Sequence, residues 1–212
     1  MIAAEEAALA WLKQLPQCDA LALERLERLV ALLREENQRQ NLVSAASLDQ
    51  VWQRHIIDSA QLLTHVSRET SPWLDLGTGA GFPGLVIAVL QPDSEVAMVE
   101  SRARRIDWLE RARAELGLSS ARVIGDRLEQ IESFTAMVIS ARAFAPLERL
   151  LALAERFSTS DTLWLLPKGR SAVQELHDLR KWRHSFHVEQ SLTDPEAGII
   201  VGALASTKGI GT

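Results

Sequence analysis

The sequence predicts an α/β fold, a mostly parallel sheet with helices on both faces and an N-terminal helical cap. Three observations carry that expectation. Five apolar runs of strand length, "PWLDLG", "SEVAMVES", "SARVIG", "TAMVISA" and "TLWLLP", alternate with segments of helical periodicity, the mark of βαβ units. A glycine-rich stretch, "DLGTGAGFPG" (75–84), follows directly on the first run. Upstream of it the periodicity is helical.

Each element has its own signal. Residues 3–37 read as helix, with Leu9, Leu12, Leu15 and then Leu23, Leu26, Leu29 and Leu33 recurring on either side of Pro16. Residues 47–66 continue the cap, with Ser47 as N-cap and Gln50 at capping-box spacing. Helices are expected near 84–91, 102–116, 127–131, 146–156 and 170–180. The last stretch, "HSFHVEQSL" and then "GIIVGALAS", reads as a hairpin turning around Asp194 and Pro195. The expected organisation is a helical cap over 1–67 and one compact domain over 68–212.

Composition narrows the function classes. Of 212 residues 47% are hydrophobic and 24% charged, with a net charge of -5, an ordinary globular balance with room for one core. One cysteine, Cys18, offers neither an internal disulfide nor a thiolate metal site. The apolar runs are too short to span a bilayer, and the acidic start "MIAAEEAALA" has no signal-peptide pattern. A cytoplasmic protein with no membrane partner and no metal is expected.

In a doubly wound sheet, ligands gather at the turn from first strand to first helix, where residues 77–82 fall. Gly79 to Gly84 match the G-x-G-x-x-G pattern of diphosphate loops, a weak signal alone. A diphosphate needs free N–H donors and no nearby anion. Asp75 places a carboxylate at the strand end, and Pro83, expected as the first helical residue, removes a donor. A carboxylate beside close-packed glycines suits the ammonium or sulfonium of S-adenosylmethionine; a tight turn with Asp75 capping the helix is the plainer reading. Glu100 ends the second run, where it can accept from both ribose hydroxyls of an adenosine, a placement that serves a nicotinamide dinucleotide equally. As a lone strand-end acid it can also cap a helix, as can Ser101 beside it. In "VIGDRLEQI", Asp126 or the backbone at Leu128 and Glu129 can meet an adenine amino group, with Arg127 beside them.

The motifs "NLVS" (41–44), "RHIIDS" (54–59), "DLGTGAGFPG", "VESRARR" (99–105), "GDRLEQI", "ISARAFAPL" (139–147) and "LPKG" (166–169) stand in one order. Together, over roughly residues 20–170, they resemble the bacterial 16S rRNA guanine-N7 methyltransferase family, also called glucose-inhibited division protein B. The resemblance implies a class I (Rossmann-like) methyltransferase sheet, S-adenosyl-L-methionine as donor, and 16S rRNA or the small ribosomal subunit as partner. The acceptor would be a guanine in the decoding-region loop. It implies that Gly77 and Phe82 line methionine and adenosine, Glu100 the ribose, and Leu128 and Glu129 the adenine. Arg142, the expected catalytic residue, would face cofactor and substrate. Asp75, Thr78, Gly79, Ser101 and Arg127 complete the expected cofactor site. Family members carry a basic residue near the final strands, where this chain reads "DPEAGIIVGALAS".

Guanine N7 carries an in-plane lone pair, so its attack on a sulfonium methyl needs alignment and no prior deprotonation. Arg104, Arg105, Phe144 and Lys168 are the expected RNA contacts, with solvent the plain alternative for Lys168. Arg104, Trp108 and Arg111 are expected on one exposed helix face, away from Ile106, Leu109 and Leu116. His55, Asp58 and Ser59, at i, i+3 and i+4, read either as a structural hydrogen-bonded cluster or as a catalytic pair. A nicotinamide-dependent oxidoreductase, a methyltransferase of a small molecule or protein, and a nucleoside-binding regulator are the competing readings. A monomer is expected.

Overall fold

In the computed structural model, which describes residue 2 and residues 5–205, the N-terminal periodicity resolves into α1 (Glu5–Leu12) and α2 (Ala20–Asn37). The expected helix start at residue 3 and the range ends at 1 and 212 lie outside the described residues. Asp19 caps α2, its carboxylate accepting from Ala22 N–H at 2.7 Å. Leu26, Leu29 and Leu33 are fully buried. One cap differs from expectation: Ser44, not Ser47, starts α3 (Ala45–Asp49), its Oγ accepting from Ser47 N–H at 3.2 Å. Ser44 has the extended backbone a cap residue needs. The chain then widens into a π-helical turn, Trp52–Ile57, and runs through α4 (Asp58–Ala60) into a 3-10 turn, Gln61–His65. Such π turns recur at functional sites.

The apolar runs become β1 (Trp73–Leu76), β2 (Val96–Val99), β3 (Ala121–Ile124), β4 (Val138–Ala141) and β5 (Leu163–Gly169), followed by the hairpin β6 (His187–Gln190) and β7 (Gly198–Gly202). Between them lie α5 (Gly84–Leu90), α6 (Ala103–Glu115), α7 (Leu147–Ala154) and α8 (Ala172–Asp178), while the helix expected over 127–131 is one 3-10 turn, Leu128–Gln130. Strand order is β3-β2-β1-β4-β5-β7-β6. The first five strands are parallel and β7 enters antiparallel beside β5. β1, β2 and β4 are buried at every residue, as helices on both faces require. Among the described residues no helix is long and apolar enough to cross a membrane.

One apolar layer joins Leu26, Leu33, Ile56 and Leu62 of the cap to Leu85, Val89, Trp108 and Leu109 of α5 and α6. The other packs α7 and α8 beneath Leu74, Ile139 and Trp164. The expected face of α6 is thereby corrected. Trp108 is buried and Ile106 only partly so, because the indole finds an acceptor, its Nε1 donating to Ala80 O at 3.0 Å. Arg111 stays outside over that ring and pairs with Glu36 of α2. The cap is also sewn to the last hairpin. Gln53 Nε2 donates to Ile2 O and Thr193 O, both at 2.9 Å, and Ile2 N–H donates to Leu192 O at 2.8 Å.

Candidate functional site

β1 is flanked by β2 and β4, so the glycine loop leaves the sheet at its topological switch point. Five of the loop's N–H groups turn inward. Thr78 N–H donates to Val99 O, Gly79 N–H to Glu100 Oε2, and Gly81 and Phe82 N–H to Thr78 O. Pro83 has no N–H, and Gly84 N–H donates to Asp75 Oδ2 at 3.0 Å. A diphosphate cradle needs those donors pointing out. What the loop offers instead is close approach: Gly77 and Gly79 stand at φ +64 and +61, and a Cβ on Gly77 would fall 2.4 Å from Phe144 Cδ2. Pro83 precedes α5 rather than opening it.

Asp75 is where the plainer reading prevails. It is 0% exposed, capping α5 through Gly84 while its Oδ1 accepts from Ser140 Oγ at 2.7 Å. Ser140 Oγ in turn accepts from Trp73 Nε1 at 2.8 Å. No carboxylate oxygen faces the open side of the loop, so the expected direct contact with a cationic ligand is corrected to a cap lying beneath it. Burial pushes the carboxyl up to about 6, against the hydrogen bonds from Ser140, Thr78 and Gly84 and the charge of Arg142. Thr78 is likewise buried, its Oγ1 donating to Asp75 O at 3.1 Å.

Glu100 joins the loop to α6. Its Oε1 accepts from Ser101 and Arg102 N–H at 2.8 and 2.9 Å, its Oε2 accepts from Gly79 N–H at 3.1 Å, and Arg105 Nη1 lies 3.7 Å away. Neither Glu100 nor Ser101 caps α6, which has no side-chain cap; Glu100 holds the turn ahead of the helix, and the Ser101 side chain is exposed. On the next loop Arg127 reaches solvent beside Glu129, at 3.6 Å, while Leu128 is buried. Arg156 holds that turn by donating to Leu128 O and, at 2.7 Å, to Ile131 O.

Beside the glycine loop opens a cavity of about 840 Å³, lined among others by Arg54, His55, Asp58, Arg142, Phe144 and Lys168. Arg142, just past β4, is gripped by the π turn. Its Nη1 donates to Arg54 O and Asp58 Oδ2 at 3.2 and 3.3 Å, and its Nη2 lies 3.2 Å from His55 Nδ1. The His55 ring stacks on Phe82, centroids 4.8 Å apart, and Arg142 Cζ lies 5.3 Å over the same ring. Burial and the charges of Arg142 and Arg54 lower the imidazole to about 3.

Two of the expected RNA contacts already have partners within the chain. Lys168 is neither in solvent nor aimed outward: its side chain is 8% exposed, donating to Ala145 O at 2.6 Å and pairing with Glu175 at 2.9 Å. Glu175 also accepts from Leu147 N–H at 2.8 Å, so the pair anchors the 142–147 loop. Arg104 ties α6 to the cap, its Nη2 donating to Arg39 O at 2.9 Å. Arg105 lies at the glycine loop, with a Cβ on Gly79 3.5 Å from its Nη1. Ser140, Thr193 and Glu175 escaped the sequence reading. Ser140 carried a usable signal, since a hydroxyl in the apolar run "MVIS" must find a partner once buried.

Comparison with known proteins places these features in a lineage. A family model described as rRNA small subunit methyltransferase G matches residues 22–195. A ribosomal RNA small subunit methyltransferase G from Erythrobacter litoralis is 61% identical over 203 residues, 95% of this chain and 97% of that protein. Its namesake from Novosphingobium aromaticivorans is 60% identical, over 96% and 90% of the two chains. Among solved structures, a SAM dependent methyltransferase from Aquifex aeolicus is similar with a TM-score of 0.58, over 79% of this chain and 97% of that one. At 15% identity it speaks for the fold alone.

Proposed function

We propose, because this chain belongs to the rRNA small subunit methyltransferase G family, that it methylates N7 of a guanine in the decoding-region loop of 16S rRNA. It is an S-adenosylmethionine-dependent methyltransferase of small-subunit rRNA. The observation that carries the choice of donor over a dinucleotide is the inward-facing set of loop N–H groups, at Thr78, Gly79, Gly81, Phe82 and Gly84.

The residues fit that donor. Gly77, Gly79 and Phe82 would border its amino-acid arm and sulfur, Glu100 Oε2 has one acceptor site left for a ribose hydroxyl, and Leu128 and Glu129 would flank the adenine. Asp75 and Thr78 support the loop from below, and Ser101 N–H donates to Glu100. When bound, the cofactor supplies a methyl group made electrophilic by its sulfonium. The protein then has to hold the guanine in line, and alignment is a large source of rate. The Hoogsteen edge is hidden in an A-form groove, so the base has to come from a loop or be splayed into the cavity. Phe144 offers a face for stacking. Arginine usually grips guanine through O6 and N7 together; here N7 must keep its lone pair, which leaves O6 for Arg142.

Transfer of labelled methyl from S-adenosylmethionine to 30S subunits, naked 16S rRNA and total protein tests the reading. Label is expected in 16S rRNA, at a guanine that becomes cleavable at N7-methyl sites. Label in protein, or at another atom of the base, would overturn it.

A further inference from the structure

The sequence leaves His55 and Asp58 between a structural cluster and a catalytic pair, and the site brings both to one guanidinium. Arginine has five N–H donors and no acceptor. Three of them on Arg142 go to the π turn and the first residue of α4, through Arg54 O and His55 Nδ1 and through Asp58 Oδ2. Because arginine only donates, Nδ1 accepts, and the imidazole is neutral with its hydrogen on Nε2. That Nε2 is buried and, among the described residues, unpartnered, so the tautomer that serves Arg142 leaves the other ring nitrogen without a bond. Asp58 is held in turn: its Oδ1 accepts from Gln61 Nε2 at 3.1 Å and from Thr193 Oγ1 of the hairpin turn at 2.8 Å. Phe82 closes the group, stacked by His55 and overlain by Arg142. Arg142 keeps Nε–H and one Nη2–H.

We infer that His55 and Asp58 are positioning residues for methyl transfer, holding Arg142 in one rotamer over Phe82 so that its remaining N–H pair meets the acceptor base. His55 acts as a neutral hydrogen-bond acceptor, not as a base. The inference rests on the role proposed above for Arg142. An arginine side chain loses much rotamer freedom on binding; here the cap and the hairpin remove that freedom beforehand. Because Phe82 belongs to the glycine loop, the same contacts set the guanidinium relative to the donor site. A merely structural cluster would owe Arg142 nothing.

The test is a mutant cycle on the full chain, read as single-turnover transfer to saturating small-subunit RNA, with calorimetric binding of S-adenosylhomocysteine alongside. Arg142→Ala should slow transfer by about 100-fold, and His55→Ala and Asp58→Asn by about 10- to 100-fold, the scale of a small misplacement. Affinity for S-adenosylhomocysteine should stay within about twofold. His55→Asn, whose Oδ1 takes the place of Nδ1, should recover most of the rate. The double variant His55→Ala with Arg142→Ala should be no slower than Arg142→Ala alone. Multiplying losses in the double variant, or no advantage of Asn over Ala at 55, would overturn the inference while leaving Arg142 at the site. Wild-type transfer by Arg142→Ala would instead remove the reading of Arg142, and the inference with it. If His55→Ala does not fold, Asp58→Asn with Arg142→Ala runs the same cycle.

Discussion

Ser140 donates to Asp75 Oδ1 at 2.7 Å from the position directly opposite it in the β1–β4 register. The contact is one link of a buried relay running from Trp73 Nε1 through Ser140 and Asp75 to the first N–H of α5. It fixes the floor on which the glycine loop rests.

The relay makes stability pH-dependent with a definite sign. The Asp75 carboxyl is raised from 3.8 to about 6, so its contribution is full below about pH 4 and lost as pH rises through 6. The loss amounts to about 3 kcal/mol at most. Denaturation of the wild type and Asp75→Asn between pH 4 and 8 should show the wild type falling relative to the variant, then levelling. A difference constant across that range would mean that the carboxyl is not raised.

Ser140→Ala removes the bridge and strands both neighbours. Each orphaned buried group costs about 1–3 kcal/mol, and the variant should unfold at lower denaturant with an unchanged slope. It should also raise the Asp75 carboxyl further and move the pH window upward. A variant as stable as wild type would show that Trp73 Nε1 finds another acceptor.

Gly77→Val should abolish binding of S-adenosylhomocysteine while the sheet stays folded. A branched side chain meets both a positive φ and the Phe144 ring, and the left-handed backbone alone costs about 1–2 kcal/mol. Normal calorimetric binding by this variant would move the cofactor elsewhere.

Glu100→Ala should weaken the cofactor by about 1–3 kcal/mol, the scale of a hydrogen bond to a charged group. It should lower the melting temperature too, since Ser101, Arg102 and Gly79 lose their acceptor. Pairing it with a 2′-deoxy analogue of S-adenosylhomocysteine separates the two effects. Strictly additive penalties would leave Glu100 a brace for the turn and the glycine loop and nothing more.

With the His55 imidazole lowered to about 3, the one histidine beside Arg142 stays neutral across ordinary pH. Single-turnover rates on saturating RNA should be flat from about pH 7 to 9, because N7 needs no base. A tenfold rise per pH unit that vanished in His55→Ala would turn the positioning residue into a catalytic one.

The central strands β1, β2 and β4 were legible because each is a short run buried on both faces, and the glycine loop because its backbone must turn with φ positive. Long-range partners were not legible. Lys168 looked like a free cation until Ala145 O and Glu175 closed on it. Trp108 looked solvent-facing until Ala80 O supplied an acceptor. The period expected over 47–66 fails at the π turn, whose extra residue per turn no 3.6 pattern reports. At Asp75 the sequence offered two roles with one residue, and only burial chose between them.

The stitching of the cap to the last hairpin bears on how the chain is made. Gln53 waits for a carbonyl 140 residues further on, and at about 5–20 residues per second that partner emerges some 7 to 28 s later. During that interval the π turn exists without its far support. Contacts of such sequence separation form late and slow folding. A nascent chain still on the ribosome should therefore lack a finished grip on Arg142, and competence should arrive only with the final strands.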